Sequence, residues 1–144
     1  DLHSFPTRRS SDLHIAGCND CHTAGYALAE GKIDEKAWLM GDSVGWQGPW
    51  GTTYPPNVRI YMQRLTEDQW VEAARALKSR PPMPFFSLNI MNERDLRAIY
   101  QFTRSLGEPG QPAPDYLPPG TSAPLPVVEF RLPPPPDAPA PPAQ

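Results

Sequence analysis

Between His14 and Gly107 the apolar pattern is helical, with apolar side chains recurring at the spacing that lines one face of an α-helix. Trp70, Ala73, Ala74 and Leu77 form one such face, and Thr66 with Gln69 supplies a capping box at its start. Leu65 is placed to staple onto Trp70, so the pattern predicts a helix over about 67–78. A second helix is predicted after Asn92 as cap, with Asp95 in its first turn and Gly107 as its stop. Its apolar side carries Leu96, Ile99, Tyr100, Thr103 and Leu106. Val58, Tyr61, Met62 and Leu65 predict a shorter helical turn following Pro55-Pro56. The glycine-rich stretch from Gly41 to Thr53, which also holds Pro49, is expected to be a long loop.

Composition changes sharply after Gly107: 14 of the 36 residues from Pro109 to Gln144 are proline, including the run Pro133 to Pro136. Proline lacks the amide donor of a helix or sheet interior, so 109–144 reads as a polyproline-II-like tail or spacer. Within it the patch Val127-Val128-Glu129-Phe130-Arg131-Leu132 has two readings, a short docked extended segment or part of a disordered tail. The expected fold is therefore all-α over residues 14–108, with an irregular C-terminal tail.

The first thirteen residues, DLHSFPTRRSSDL, match residue by residue the conceptual translation of a sequencing-library adapter and are set aside from fold reasoning. The authentic sequence is then expected to begin at about His14, so the N-terminus says nothing about export. Asp1, Arg8, Arg9 and Asp12 cancel, and the net charge of −3 argues against nucleic-acid binding. No apolar run is long enough to span a membrane.

Chemistry concentrates in Cys18-Asn19-Asp20-Cys21-His22, two cysteines three apart followed directly by histidine, which is the attachment sequence of c-type haem. Each thiol can add across one haem vinyl group, and one turn of backbone brings both sulfurs to the porphyrin edge and the next side chain, His22, to the iron. Two other chemistries use similar spacing. A redox dithiol belongs to a strand and helix context, and this chain has only ten valines and isoleucines from which to build strands. A zinc site needs four ligands and would have to recruit His14 or a weaker donor, because there is no third cysteine.

Iron held by His22 needs a second protein ligand or keeps an open position. Met83 is the candidate, in Arg80-Pro81-Pro82-Met83-Pro84-Phe85, where flanking prolines restrict the backbone and can present a thioether rigidly. Met62 on an apolar face and Met91 before Asn92 read as hydrophobic filler, Met40 has no comparable support, and Met91 or an open site is the alternative to Met83.

The order of CxxCH near the N-terminus, a Gly-rich loop, a helix, a Pro-Met-Pro loop and a final aromatic-bearing helix resembles monohaem class I cytochromes c over about His14 to Gly107. Within that family it is most similar to bacterial periplasmic domains, including dehydrogenase-associated ones, through Gly48-Pro49-Trp50-Gly51-Thr52-Thr53-Tyr54 and Pro82-Met83-Pro84. The resemblance implies an all-helical domain wrapped around one covalent haem, bound through two thioethers from Cys18 and Cys21, with iron held by His22 and Met83. It implies one-electron transfer with redox partners such as a dehydrogenase, oxidase or reductase, in the periplasm or another exported location. An open-site sensor or a peroxide- or gas-reactive enzyme is the alternative, and a proline-docked assembly module is a third reading. Family members place a proline carbonyl on the ring proton of the haem histidine, a role carried here to Pro49, the first proline after His22. Trp46, Trp50, Tyr54, Asn57 and Arg59 are expected either to contact haem propionates or to serve ordinary loop packing. The family's first helix is replaced by the adapter-like segment, so Tyr100 and Phe102 are expected to lose a packing partner.

Overall fold

The computed structural model describes residues 11–131; residues 1–10 of the adapter-like segment and 132–144, with the Pro133 to Pro136 run, lie outside them. After a helical turn over 11–15, the described residues form α1 (Cys18–His22), α2 (Val58–Gln63), α3 (Glu67–Ala76), α4 (Phe85–Ile90) and α5 (Glu93–Ser105), with a 3-10 turn over Glu35–Ala37. Helices α2, α3 and α5 each start where a side-chain cap satisfies an orphan amide. Asn57 accepts from the Ile60 amide, Asn92 from the Asp95 amide, and Thr66 and Gln69 close the capping box foreseen from their spacing. α3 stops two residues short of expectation because Leu77 turns to φ −55°, ψ 132°. Gly107, at φ 89°, follows the last turn of α5 as expected.

Helices α2 and α3 pack on α5, and α4 packs on α3. Met62, Leu96 and Leu39 are fully buried at the centre, with Trp70, Val71, Ala74, Ile99 and Phe102 around them. Burying each large apolar side chain stabilises the fold by roughly 1.5–3 kcal/mol. The Trp70 indole also donates to the Leu96 carbonyl at 2.8 Å, which joins α3 to α5 without leaving a buried donor unpaired. Phe102 does not lack cover: its ring lies 6.1 Å from Trp38, and Leu13, in the helical turn over 11–15, fills part of the same core. Tyr100 is held by its hydroxyl, which donates to the Leu65 carbonyl at 2.8 Å.

The expectation of an all-α domain with an irregular tail does not hold. A three-stranded mixed sheet, ordered β2-β1-β3, joins β1 (Gly45–Gly48), β2 (Gly51–Thr53) and β3 (Val127–Glu129). The stretch read as a loop is an antiparallel hairpin turning at Pro49-Trp50, with Trp46 opposite Thr53, Gln47 opposite Thr52 and Gly48 opposite Gly51. β3 comes from the proline-rich segment and runs parallel to β1, Gly45 facing Val127 and Gln47 facing Glu129. Prolines do not prevent this, because β3 is an edge strand entered from Pro126, whose carbonyl accepts the Gly45 amide at 3.0 Å.

Glycine makes the approach possible. A Cβ on Gly51, at φ 99°, would lie 2.3 Å from the Leu117 carbonyl oxygen, where the C-terminal segment crosses the hairpin. There Leu117 and Thr52 exchange both backbone hydrogen bonds, at 2.8 and 2.9 Å. The Phe130 ring then covers Trp46 and Trp50 at centroid distances of 5.9 and 5.5 Å. Among the described residues no helix is long and apolar enough to cross a membrane.

Candidate functional site

α1 is little more than one turn, and that turn arranges the CxxCH residues. Positions i, i+3 and i+4 share a helix face, so Cys18, Cys21 and His22 form one half-buried side. Asn19 points away from it into the protein, only 1% exposed. Its Oδ1 accepts from the Thr23 hydroxyl at 2.7 Å, and the Thr23 Oγ1 in turn accepts the Leu39 amide at 2.8 Å. Gly41 completes the anchor by donating its amide to the His22 carbonyl at 2.8 Å. The motif is thereby fixed to the core through Asn19, Thr23 and the His22 carbonyl.

His22 has a defined tautomer. Its Nδ1 lies 2.9 Å from the Pro56 carbonyl oxygen, and since a carbonyl only accepts, the proton sits on Nδ1 and leaves the Nε2 lone pair free. Burial lowers the His22 pKa below the usual 6.5, and the Pro56 bond offsets part of that shift. The imidazole is therefore neutral at pH 7, the form that binds a metal.

The thiols are perturbed in the opposite direction. Burial, with a smaller contribution from Asp20, pushes Cys18 up to about 11. Cys21 is raised as well, chiefly by burial and then by Asp20 and Asp42. Both cysteines are free rather than disulfide-bonded and stay protonated at neutral pH. A reactive redox dithiol needs a lowered thiol pKa, so these surroundings do not suit it; zinc would itself ionise the thiols that bind it, so for zinc the question is the number of ligands. Among the described residues no group of three or more His, Cys, Asp and Glu side chains is gathered to hold a metal ion. Two thiols and an oriented imidazole on one helical turn have the arrangement that covalent haem attachment needs.

Met83 sits half-buried against the same hydrophobic core that Cys18 abuts. Its loop lies between α3 and α4 and is closed by the Met83 amide on the Arg80 carbonyl and the Phe85 amide on the Met83 carbonyl, at 3.3 and 2.9 Å. Met62 is fully buried filler, as its spacing indicated. Met91 is also packed against the core, and Met40 lies against the C-terminal segment beside Gly110.

The expected second partner of His22 changes identity. Pro49 is exposed at the hairpin turn, and Pro56, entering α2, supplies the carbonyl instead. The shift has a local cause: Gly41 adopts φ 83°, and a Cβ there would lie 2.8 Å from the Pro55 carbonyl oxygen, so the 55–57 segment closes directly onto the chain leaving α1.

Asn57 and Arg59, expected as propionate contacts or loop packing, spend their side-chain donors on backbone carbonyls in this structure. Arg59 is 2% exposed and uses all five N–H groups on backbone carbonyls: Nε on Trp38 at 2.7 Å, Nη1 on Leu106 and Glu108, Nη2 on Glu35 and Lys36. Asn57 caps α2 with its oxygen and donates its amide to the carbonyls of Pro109 and Gln111. The Trp50 indole donates within the hairpin to the Trp46 carbonyl at 3.3 Å, and the Tyr54 ring lies against Gly45.

In the haem-free chain the depressed His22 pKa makes a pH prediction. The folded value lies below the unfolded one, so this contribution is complete above about pH 6.5 and is lost as pH falls through the lower folded value. His22→Gln, which retains a donor for Pro56, is expected to flatten that acid-side decline, measured as urea midpoints between about pH 7 and pH 5. An unchanged decline in the variant would assign the acid sensitivity to other groups. No protein-family model, curated protein or solved structure matches the chain.

Proposed function

We propose that the chain carries one covalent haem c and passes single electrons between protein partners. The place proposed for it is a periplasmic or other exported carrier of class I cytochrome c type, or the electron-transfer domain of a respiratory or dehydrogenase system. The observation that carries the reading is the His22 Nδ1 bond to Pro56, on the same one-turn helix that carries both cysteines. Zinc would need four gathered ligands, which the described residues do not supply, and a reactive dithiol would need its thiol pKa values lowered rather than raised.

When bound, haem supplies reversible exchange between ferrous and ferric iron. Cys18 and Cys21 would hold it by thioethers, His22 through Nε2, and Met83 through its sulfur. The Pro56 carbonyl fixes the rotation of the imidazole and raises the basicity of Nε2. A thioether opposite the imidazole raises the reduction potential, and apolar surroundings act in the same direction by disfavouring the additional positive charge of ferric iron. With both side chains bound no position is left for peroxide or a gas, which favours a carrier over an enzyme. A dehydrogenase, oxidase or reductase is the partner class proposed, and the chain's net charge of −3 suits a basic docking surface.

Absorption spectra of the haem-matured chain in both oxidation states, beside Met83→Ala, test the reading. The expected result is a methionine-to-ferric-iron charge-transfer band that disappears in the variant. If the parent never shows that band and its reduced form readily binds carbon monoxide, the open-site sensor or enzyme replaces the carrier.

A further inference from the structure

The proline-rich segment does more than complete a sheet: it reaches the loop that carries Met83. After α5 the chain is held by Asn57 and Arg59, whose side chains bond the carbonyls of Leu106, Glu108, Pro109 and Gln111. It then crosses the hairpin at Leu117. One residue earlier, Tyr116 makes two contacts at once. Its hydroxyl donates to the Trp50 carbonyl at 2.8 Å, and its ring lies 3.7 Å beneath the Arg80 guanidinium. The next loop residue is also tied down, because the Thr53 hydroxyl donates to the Pro81 carbonyl at 2.8 Å.

Arg80 and Pro81 are consecutive, and Met83 follows two positions later. The side chain of one and the backbone of the other are thus fixed to the same hairpin, directly through β2 and indirectly through Tyr116. Arg80 is itself exposed, with no carboxylate among its described contacts, so its stack on Tyr116 is what orders it.

We propose that Tyr116 and Arg80 are positioning residues for Met83: the C-terminal segment clamps the ligand loop and sets how tightly the thioether is held on iron. This rests on the reading of Met83 as an axial ligand. A clamp acts by removing loop conformations in which the sulfur has swung away, so its loss weakens the Met83 bond against an external competitor. The expectation is specific to displacement of Met83 and does not require a change in global stability.

The test titrates imidazole into the ferric, haem-bound full chain and follows the methionine-to-iron charge-transfer band. Tyr116→Ala and Arg80→Gln are each expected to lower the imidazole concentration at half-displacement about fivefold, in line with the loss of one cation–π stack. Tyr116→Phe keeps the ring and loses only the Trp50 tether, so about a twofold change is expected, and Arg80→Lys should recover much of the parent behaviour. Because Arg80 is exposed, Arg80→Gln is expected to keep the chain folded with at most a small fall in its urea midpoint, which separates clamping from unfolding even if Tyr116→Ala is unstable. A parent band that resists imidazole equally in Arg80→Gln and in Tyr116→Phe overturns the clamp and leaves the axial-ligand reading intact. A parent with no band overturns that reading, and the clamp falls with it.

Discussion

Arg59→Met is expected to lower the unfolding free energy of the chain by about 3–5 kcal/mol, read from urea denaturation of the parent and the variant. The change keeps most of the aliphatic volume and removes only the guanidinium. Five backbone carbonyls, on Trp38, Leu106, Glu108, Glu35 and Lys36, then lose the guanidinium as donor; the Trp38 bond is buried, the other four are part-buried, and the Glu35 carbonyl keeps the Trp38 amide. Each orphaned buried acceptor costs about 1–3 kcal/mol, while the charge itself is released from a site whose burial holds the Arg59 pKa below its usual value. The net loss is therefore smaller than five separate penalties. Arg59→Lys is expected to fall between parent and Met variant, because an ammonium has three donors and lacks the planar fork that reaches three chain segments together. A loss under about 1 kcal/mol in the Met variant would mean that water or a shift of the 106–108 segment replaces the donors.

The largest chemical effect is expected from the double variant Cys18→Ala, Cys21→Ala. In the parent, haem should survive extraction with acidified organic solvent. In the double variant all of it should be removed, since only ligand bonds to iron would remain and acid breaks these by protonating His22. Each single variant should retain one thioether, visible as a distinct reduced pyridine complex with one vinyl group intact. Iron ligation before extraction should survive in all three, because the Pro56 bond that orients His22 and the Asn19–Thr23–Leu39 anchor beneath α1 involve neither sulfur. Haem lost from the parent under the same conditions would defeat covalent attachment. Stoichiometric zinc binding by the parent would put the two cysteines in the other chemistry their spacing allows.

Much of the helical part was legible from residue order. The Thr66–Gln69 box, the Asn92 cap and the Gly107 stop are all local devices, each decided within four residues of the turn it controls. The same is true of the Asn57 cap on α2, although that asparagine was read from the sequence as a possible propionate contact. Helix α4 was missed because its six residues, FFSLNI, are too few to display a period against the apolar run around them. The sheet was missed for a different reason. β1 pairs with a strand some eighty residues further on, inside a segment whose proline content argues against sheet at every position except an edge. The glycines held a usable signal: Gly45 and Gly51 stand where a Cβ would collide with Val127 or with the Leu117 carbonyl, but a glycine names no neighbour.

For the candidate site the division is similar. The sequence alone determined that two thiols and an imidazole share one helical face, because the spacing of positions 18, 21 and 22 forces it once a single turn forms. It also determined that proline restrains the loop around Met83, since fixed φ angles are a covalent property. Only the tertiary structure decided that Pro56 rather than Pro49 meets His22, that burial keeps both thiols protonated, and that Arg59 faces inward onto five carbonyls. Only it decided that a segment read as a spacer returns to pair with β1 and to place Tyr116 under Arg80. The physical reason is range: capping, periodicity and proline geometry act within a few bonds, whereas desolvation, carbonyl pairing and strand addition depend on what the folded chain brings alongside.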